Sequence, residues 1–319
     1  MQHHPSHYNF RSHNETLKEL YQKLKKSHWV PEELDLSKEM SDWSKLTKGE
    51  KKFVKLELAF FAQFDGIVVE NLVRNFQQEV SSYAKEIEWF YILQAANELI
   101  HNETYMNLID NLLPSPKKRE KALDAISNYP SIRLIANWVE RWMDRRIPLP
   151  ERIIAFAALE GVIFTGSFAA IHYFTITNRL KGLRKANEWI SKDEALHQRF
   201  AEAVYRYIVD VIKAFPRVSQ ERVQEILGSA IDAVSPFIHD CLRFKNVNID
   251  AERMIGYMKN AADGLAFSLG YEKFFNSDSS LDYMLLIGMD NKTNFFEEVV
   301  ADYAKGLEGG GEFSKDADF

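Results

Sequence analysis

The chain has 319 residues, 46% of them hydrophobic and 13% aromatic, so it can bury a large core, and 14 Gly with 9 Pro leave long stretches free to be helical. A net charge of −6 without a basic block argues against nucleic-acid binding. The single cysteine, Cys241, excludes an intrachain disulfide framework and a Cys-rich zinc site, and suits a reducing, cytoplasmic setting.

The opening, MQHHPSHYNF, lacks the charged-then-apolar order of a signal peptide, and residues 1–15 read as a solvated, flexible tail despite four histidines in the first thirteen positions. NETLKELYQKLKK is a short amphipathic helix. HWVPEELDLSKEMSDW reads as an extended connector carrying Trp29 and Trp43, and the pattern itself does not choose between the two rings for any special role. Thr47 and Glu50 form a capping box that opens a long helix through Asp65 to about Val80. The next helix runs from about Tyr83 to Leu112 and stops at PSP. A smaller unit between Lys117 and Arg146 ends before Pro148 and Pro150. Residues 153–174 are apolar enough to imitate a membrane span, but Glu160 stands in their middle, which points to a helix at the centre of a bundle and to no membrane. A helix bearing Glu194 and His197 follows, then further helices after Pro216. The end, GLEGGGEFSKDADF, is glycine-rich and charged. With no strand alternation and no linker, the expectation is one all-α domain over residues 16–303 and a flexible tail over 304–319.

Two segments, NELIHNETY and SKDEALHQRF, each contain Glu-x-x-His. On a helix, positions three apart share a face, so Glu98 projects with His101 and Glu194 with His197. Asp65 stands 33 residues before Glu98, and Glu160 stands 34 before Glu194, each acid in an apolar helix. Four helices thereby aim four carboxylates and two imidazoles at one core, and cations are the usual remedy for buried unpaired acids. This is the ligand pattern of ferritin-like di-iron and di-manganese carboxylate bundles. Oxygen-rich ligation with one histidine per metal suits iron or manganese better than structural zinc. Tyr105 continues the stripe at His101 + 4, where the second half has Ala201, so one side alone carries an oxidisable ring. Phe164 and Phe168, at Glu160 + 4 and + 8, would keep that core dry.

Across nearly the whole chain the segments HWVPEELDLSKEMSDW, FFAQFDGIVVENLV, NELIHNETYMNLID, FAALEGVIFTGSFA, ISKDEALHQRFA, TNFFEEVVADY and the terminal DADF resemble the small, radical-generating subunit of class I ribonucleotide reductase, eukaryotic and large-DNA-virus type. The resemblance implies a ferritin-like bundle in which Asp65, Glu98, His101, Glu160, Glu194 and His197 hold two iron ions, manganese being an alternative. It implies that Tyr105 is oxidised to a stable radical. It further implies that the oxidising equivalent passes by His101, Asp193, Trp29 and Tyr303 to a separate large subunit, where ribonucleotides are reduced, and that the small subunit is a homodimer. The tail, with Phe313 and Phe319, would dock on the large subunit. The chain departs from that pattern at Lys192, where eukaryotic relatives commonly have arginine. The competing expectation is a ferritin-like di-metal oxidase acting on its own substrate.

Overall fold

A computed structural model describes residues 11–80, 82–244, 249–282 and 284; Tyr303 and the tail lie outside the described residues. Among the described residues the protein is all-α, without a strand, and its long helices form the expected ferritin-like bundle. In chain order the helices are α1 (Glu15–Lys26), α2 (Glu39–Lys45), α3 (Lys48–Asn71), α4 (Gln77–Val80), α5 (Lys85–Leu112), α6 (Pro116–Leu123), α7 (Ala125–Asn128), α8 (Pro130–Met143), α9 (Leu149–Ala158), α10 (Phe164–Ile176), α11 (Lys181–Arg206), α12 (Gln220–Leu242) and α13 (Ala251–Ser268). A π-turn over Leu72–Phe76 joins α3 to α4, and another over Leu159–Ile163 joins α9 to α10, so each pair is one continuous rod with a local widening.

The start of α3 follows from its capping box: Thr47 Oγ1 accepts from the Glu50 amide at 3.2 Å while Glu50 Oε2 accepts from the Thr47 amide at 2.8 Å. Arg179 adds an ion pair to the same carboxylate, holding it ionised against the burial that opposes it. At the chain's entry, Asn14 caps α1, and Glu86 of α5 accepts hydrogen bonds from Ser12, His13 and Asn14. The backbone at these three positions therefore sits against α5, within the segment that composition alone reads as a tail.

The connector is more ordered than an extended strand. It makes a single 3-10 turn over Pro31–Glu33 and then folds into α2. Glu39 of α2 accepts from the Gly182 amide at 2.7 Å and the Leu183 amide at 3.4 Å, placing a carboxylate on the positive end of α11. Gly182 permits the approach, because a Cβ there would stand 3.0 Å from the Asp35 carbonyl oxygen and 2.6 Å from Leu36 Cδ2. The consequence is positional: α1 and the connector are clamped across α5 and α11, over the face that carries the histidines.

α3 packs on α5, and α9 and α10 pack on α11, so the two halves of the pseudo-repeat face each other. The apolar rod Leu149–Ile176 has the length and composition of a membrane span, yet its most apolar window is entirely enclosed by other helices. Its hydrophobicity is what a helix surrounded on all sides requires.

Candidate metal centre

Every acid and imidazole of the two-fold pattern is buried: Asp65, Glu160 and Glu194 are 1% exposed, and Glu98, His101 and His197 are 0% exposed. They converge as two overlapping groups, Asp65 with Glu98 and His101, and Glu98 with Glu160, Glu194 and His197; within each, the ligand atoms lie within 4.8 Å of one another. Glu98 belongs to both. Glu194 also reaches both sides, with Oε1 3.1 Å from His101 Nδ1 and Oε2 2.9 Å from His197 Nδ1. Glu98 does the same, Oε2 lying 3.3 Å from His101 Nδ1 and Oε1 3.0 Å from His197 Nδ1. Two carboxylates thus span the cluster, while Asp65 and Glu160 stand at its ends.

Both imidazoles turn Nδ1 inward and Nε2 outward. His101 Nε2 meets Asp193 Oδ2 at 3.2 Å, and His197 Nε2 meets Asn97 Oδ1 at 3.1 Å. An outward N–H donated to these acceptors leaves the Nδ1 lone pair for a cation, the arrangement that orients a metal-binding histidine. The electrostatics show why the cluster favours a cation. Burial first, then the Glu98 charge, pushes the Asp65 carboxyl well above the usual range, and burial and Glu194 do the same to Glu160. Burial disfavours the His197 imidazolium, but Glu194 and Glu98 outweigh it and raise its pKa to about 9; Glu194 is depressed, the pull of His197 overcoming burial. Burial likewise opposes protonation of His101, and Asp193, Glu194 and Glu98 reverse the balance. Both oxygens of Asp65 and Oε2 of Glu160 find no hydrogen-bond partner among the described residues. Four carboxylates against two neutral imidazoles carry the charge that two divalent cations neutralise, so the donor set and the orphaned oxygens fit a dinuclear metal site.

Local backbone form serves the same end. Glu160 lies in the π-turn Leu159–Ile163, and Thr165 Oγ1 donates to the Gly161 carbonyl at 2.8 Å, occupying an acceptor at the widened turn. Gly161 makes room for the Gln198 side chain of α11, whose Oε1 would stand 1.7 Å from a Cβ there.

Tyr105 is 1% exposed, its hydroxyl has no hydrogen-bond partner among the described residues, and burial followed by the Asp65 charge raises its pKa. Phe61 stacks on its ring at 4.9 Å with planes 4° apart, and Phe168 and Phe164 back Phe61 at 4.8 and 5.7 Å. The phenol is therefore walled by hydrocarbon.

On the other side, Asp193 is a junction. Its Oδ2 accepts from Trp29 Nε1 at 2.8 Å and from Asn97 Nδ2 at 3.2 Å, besides meeting His101. Trp29 stacks on His101 at 5.9 Å, whereas Trp43 lies under Lys51 away from this junction. Lys192 is exposed and pairs with Glu188 at 2.8 Å. Sequence reasoning missed Asn97, which ties His197 to Asp193, and Gln94, whose Nε2 donates to Glu160 Oε1 at 3.0 Å. Both lie on the helical stripe of Glu98, His101 and Tyr105, which marks them as inward-facing without identifying their partners.

Residues 7–281 match the family model for the ribonucleotide reductase small chain. A Trypanosoma brucei brucei protein named ribonucleoside-diphosphate reductase small chain is 40% identical over 305 residues, covering 94% of this chain and 88% of that one. The Homo sapiens ribonucleoside-diphosphate reductase subunit M2 is 39% identical over 288 residues, covering 90% and 72%. Among solved structures, the Saccharomyces cerevisiae ribonucleotide reductase Rnr4 homodimer superposes with a TM-score of 0.75 at 24% identity, over 92% of this chain and 88% of that one. The dimanganese(II)-NrdF of Streptococcus sanguinis gives 0.76 at 18% identity, over 86% and 97%.

Proposed function

The chain belongs to the ribonucleotide reductase small-chain family, and on that footing we propose that it is the radical-generating subunit of a ribonucleoside-diphosphate reductase. Asp65, Glu98 and His101 would hold one ion and Glu160, Glu194 and His197 the other, Glu98 and Glu194 being within reach of both groups; the ions would be iron, with manganese the alternative. When bound and reduced, such a pair supplies the activation of dioxygen and hence the oxidising power. The chain's residues do the rest. Phe61, Phe164 and Phe168 keep water from Tyr105. Tyr105, whose hydroxyl has no hydrogen-bond partner among the described residues, gives up an electron and its proton toward the acid cluster, where Asp65 is the carboxylate acting most strongly on it.

The observation that carries this reading is the Asp193 junction: a hydrogen-bonded run leads from an inner imidazole to an indole at the edge of the bundle. When Trp29 loses an electron, its Nε1 proton has Asp193 Oδ2 at 2.8 Å to receive it. A di-metal oxidase working on its own substrate has no use for this exit. The destination is outside the chain, since the only cysteine, Cys241, is 1% exposed and cannot supply the cysteine pair that reduces a ribonucleotide. Tyr303 and residues 304–319 are assigned to the last step and to docking on the large subunit. Ile92 and Leu99, two turns apart on α5 and 51% and 59% exposed, leave an apolar strip on the outside of the bundle that supports assembly with a second copy. A cytoplasmic location accords with the unpaired cysteine.

The test is reconstitution with ferrous or manganous ion and oxygen, followed by metal analysis and electron paramagnetic resonance. Wild type is expected to bind two ions per chain and show a tyrosyl radical. Tyr105→Phe keeps the ions and loses the radical. A normal radical in that variant would refute the assignment.

A further inference from the structure

The line of rings does not stop at Trp29. Trp189, on α11 one turn before Asp193, lies against it with centroids 5.2 Å apart and planes inclined by 50°. His101, Trp29 and Trp189 therefore form a graded series: an imidazole at 0% exposure, an indole at 5%, and a second indole that is half-buried at the surface of α11. The two indoles differ in their surroundings. Trp29 donates its N–H to Asp193. Trp189 has the Lys185 ammonium 5.1 Å from its ring centroid, and that ammonium pairs with Glu188 at 3.1 Å.

We propose that Trp189 is a second redox tryptophan, carrying the oxidising equivalent between Trp29 and the surface of α11. The inference rests on the relay described above. The step balances as a single electron transfer. Oxidised Trp29, its proton resting on Asp193, takes one electron from Trp189 and recovers the proton; Trp189 becomes a cation radical. Trp189 is restored by one electron from the next donor, a tyrosine such as Tyr303 in the complex or a small one-electron reductant in solution.

The charges assign the two rings different tasks. Trp29 can shed its proton to a buried carboxylate and rest as a neutral radical. An oxidised Trp189 stays cationic beneath an ammonium that repels it, an aromatic–cation attraction turned into its opposite. Glu188 offsets part of that repulsion. Trp189 is thus a place of transit, and Lys185 sets how briefly it is occupied.

The experiment uses full-length, metal-loaded protein carrying Tyr105→Phe, so that oxidation halts at the tryptophans. The indole radical is trapped by freeze-quench paramagnetic resonance, and its decay on adding ascorbate is timed. Adding Trp189→Phe should slow that decay about tenfold with metal content and thermal unfolding unchanged, whereas Trp189→Tyr, which restores an oxidisable ring, should keep it fast. Lys185→Gln should lengthen the occupancy of Trp189 and add its hyperfine pattern to the spectrum. Should Trp189→Phe fold poorly, the comparison of Trp189→Tyr with Trp189→Leu decides the matter. Equal decay in the phenylalanine, leucine and tyrosine variants makes Trp189 a packing residue and overturns the inference. A Trp29→Phe arm separates the two readings: if it alone changes the signal, only Trp189 is rejected; if it too is silent, the relay itself fails.

Discussion

Glu57 offers a quantitative test of how dry the wall behind Tyr105 is. It lies on α3 two turns before Asp65, one turn before the Phe61 that stacks on Tyr105, and is 0% exposed. Burial pushes its pKa from 4.5 up to about 8 against the weaker pull of the nearby Ser167 hydroxyl and Cys241 thiol, and among the described residues neither carboxylate oxygen has a hydrogen-bond partner of good geometry. Between those two values the folded protein binds a proton that the unfolded chain releases, so stability is fully present below the unfolded pKa and falls as pH rises toward the folded one. At 1.36 kcal/mol per unit over the interval from 4.5 to about 8, the loss is about 2 kcal/mol at pH 6 and about 3 at pH 7, levelling near 5 above pH 9. Glu57→Gln keeps the shape and stays neutral, so it escapes the loss. Urea unfolding of both proteins, at one protein concentration and equal metal loading, should show the variant's advantage growing by these amounts, other titrations cancelling in the difference. An advantage that is flat from pH 6 to 9 would mean that water or an unseen counter-charge reaches Glu57, and the dry wall would have to be given up.

Asp193→Asn keeps an acceptor for Trp29 but cannot take its proton; metal content and the Tyr105 radical should persist while turnover with the large subunit falls by roughly 10²–10⁴, and undiminished turnover would remove Asp193 from the relay. Glu98 belongs to both ligand groups, so Glu98→Ala should lose both ions, read by metal analysis, whereas loss of one ion alone would deny it a bridging place. Chelation of the wild type should lower its thermal midpoint, since each bound ion contributes up to about 4 kcal/mol of linked stability when free metal had stood near 1,000 Kd; a midpoint indifferent to chelator would refute metal compensation of the buried acids. Deleting residues 313–319 should leave metals and radical intact while weakening large-subunit binding in a pull-down titration, and Tyr303→Phe should bind normally yet fail to turn over; normal activity in the truncated protein would refute the docking role.

What the sequence displays and what it conceals divide along a physical line. Helical periodicity reports which face of one helix turns inward, so the Glu98–His101–Tyr105 stripe, the acid in the centre of the apolar rod and the Thr47–Glu50 cap could all be read from spacing, because each is decided within a few turns of one element. Periodicity does not report how two helices a hundred residues apart are rotated against each other. Asn97 is the measure of that gap: its amide joins His197 to Asp193 across α5 and α11, and nothing local distinguishes it from any polar residue on an inward stripe. Trp29 and Trp43 are equivalent by the same criterion, and what separates them is the carboxylate that α11 presents to one and not the other. The π-turn at Glu160 is a matter of backbone hydrogen bonding and leaves no mark in hydrophobic pattern. The connector read as extended for a related reason: α2 is held by Glu39 bonding to the first amides of α11, a tertiary contact that short-range propensity cannot contain. The ligands were legible because a buried acid violates local expectation, and the relay was hidden because each of its members, taken on its own helix, violates nothing.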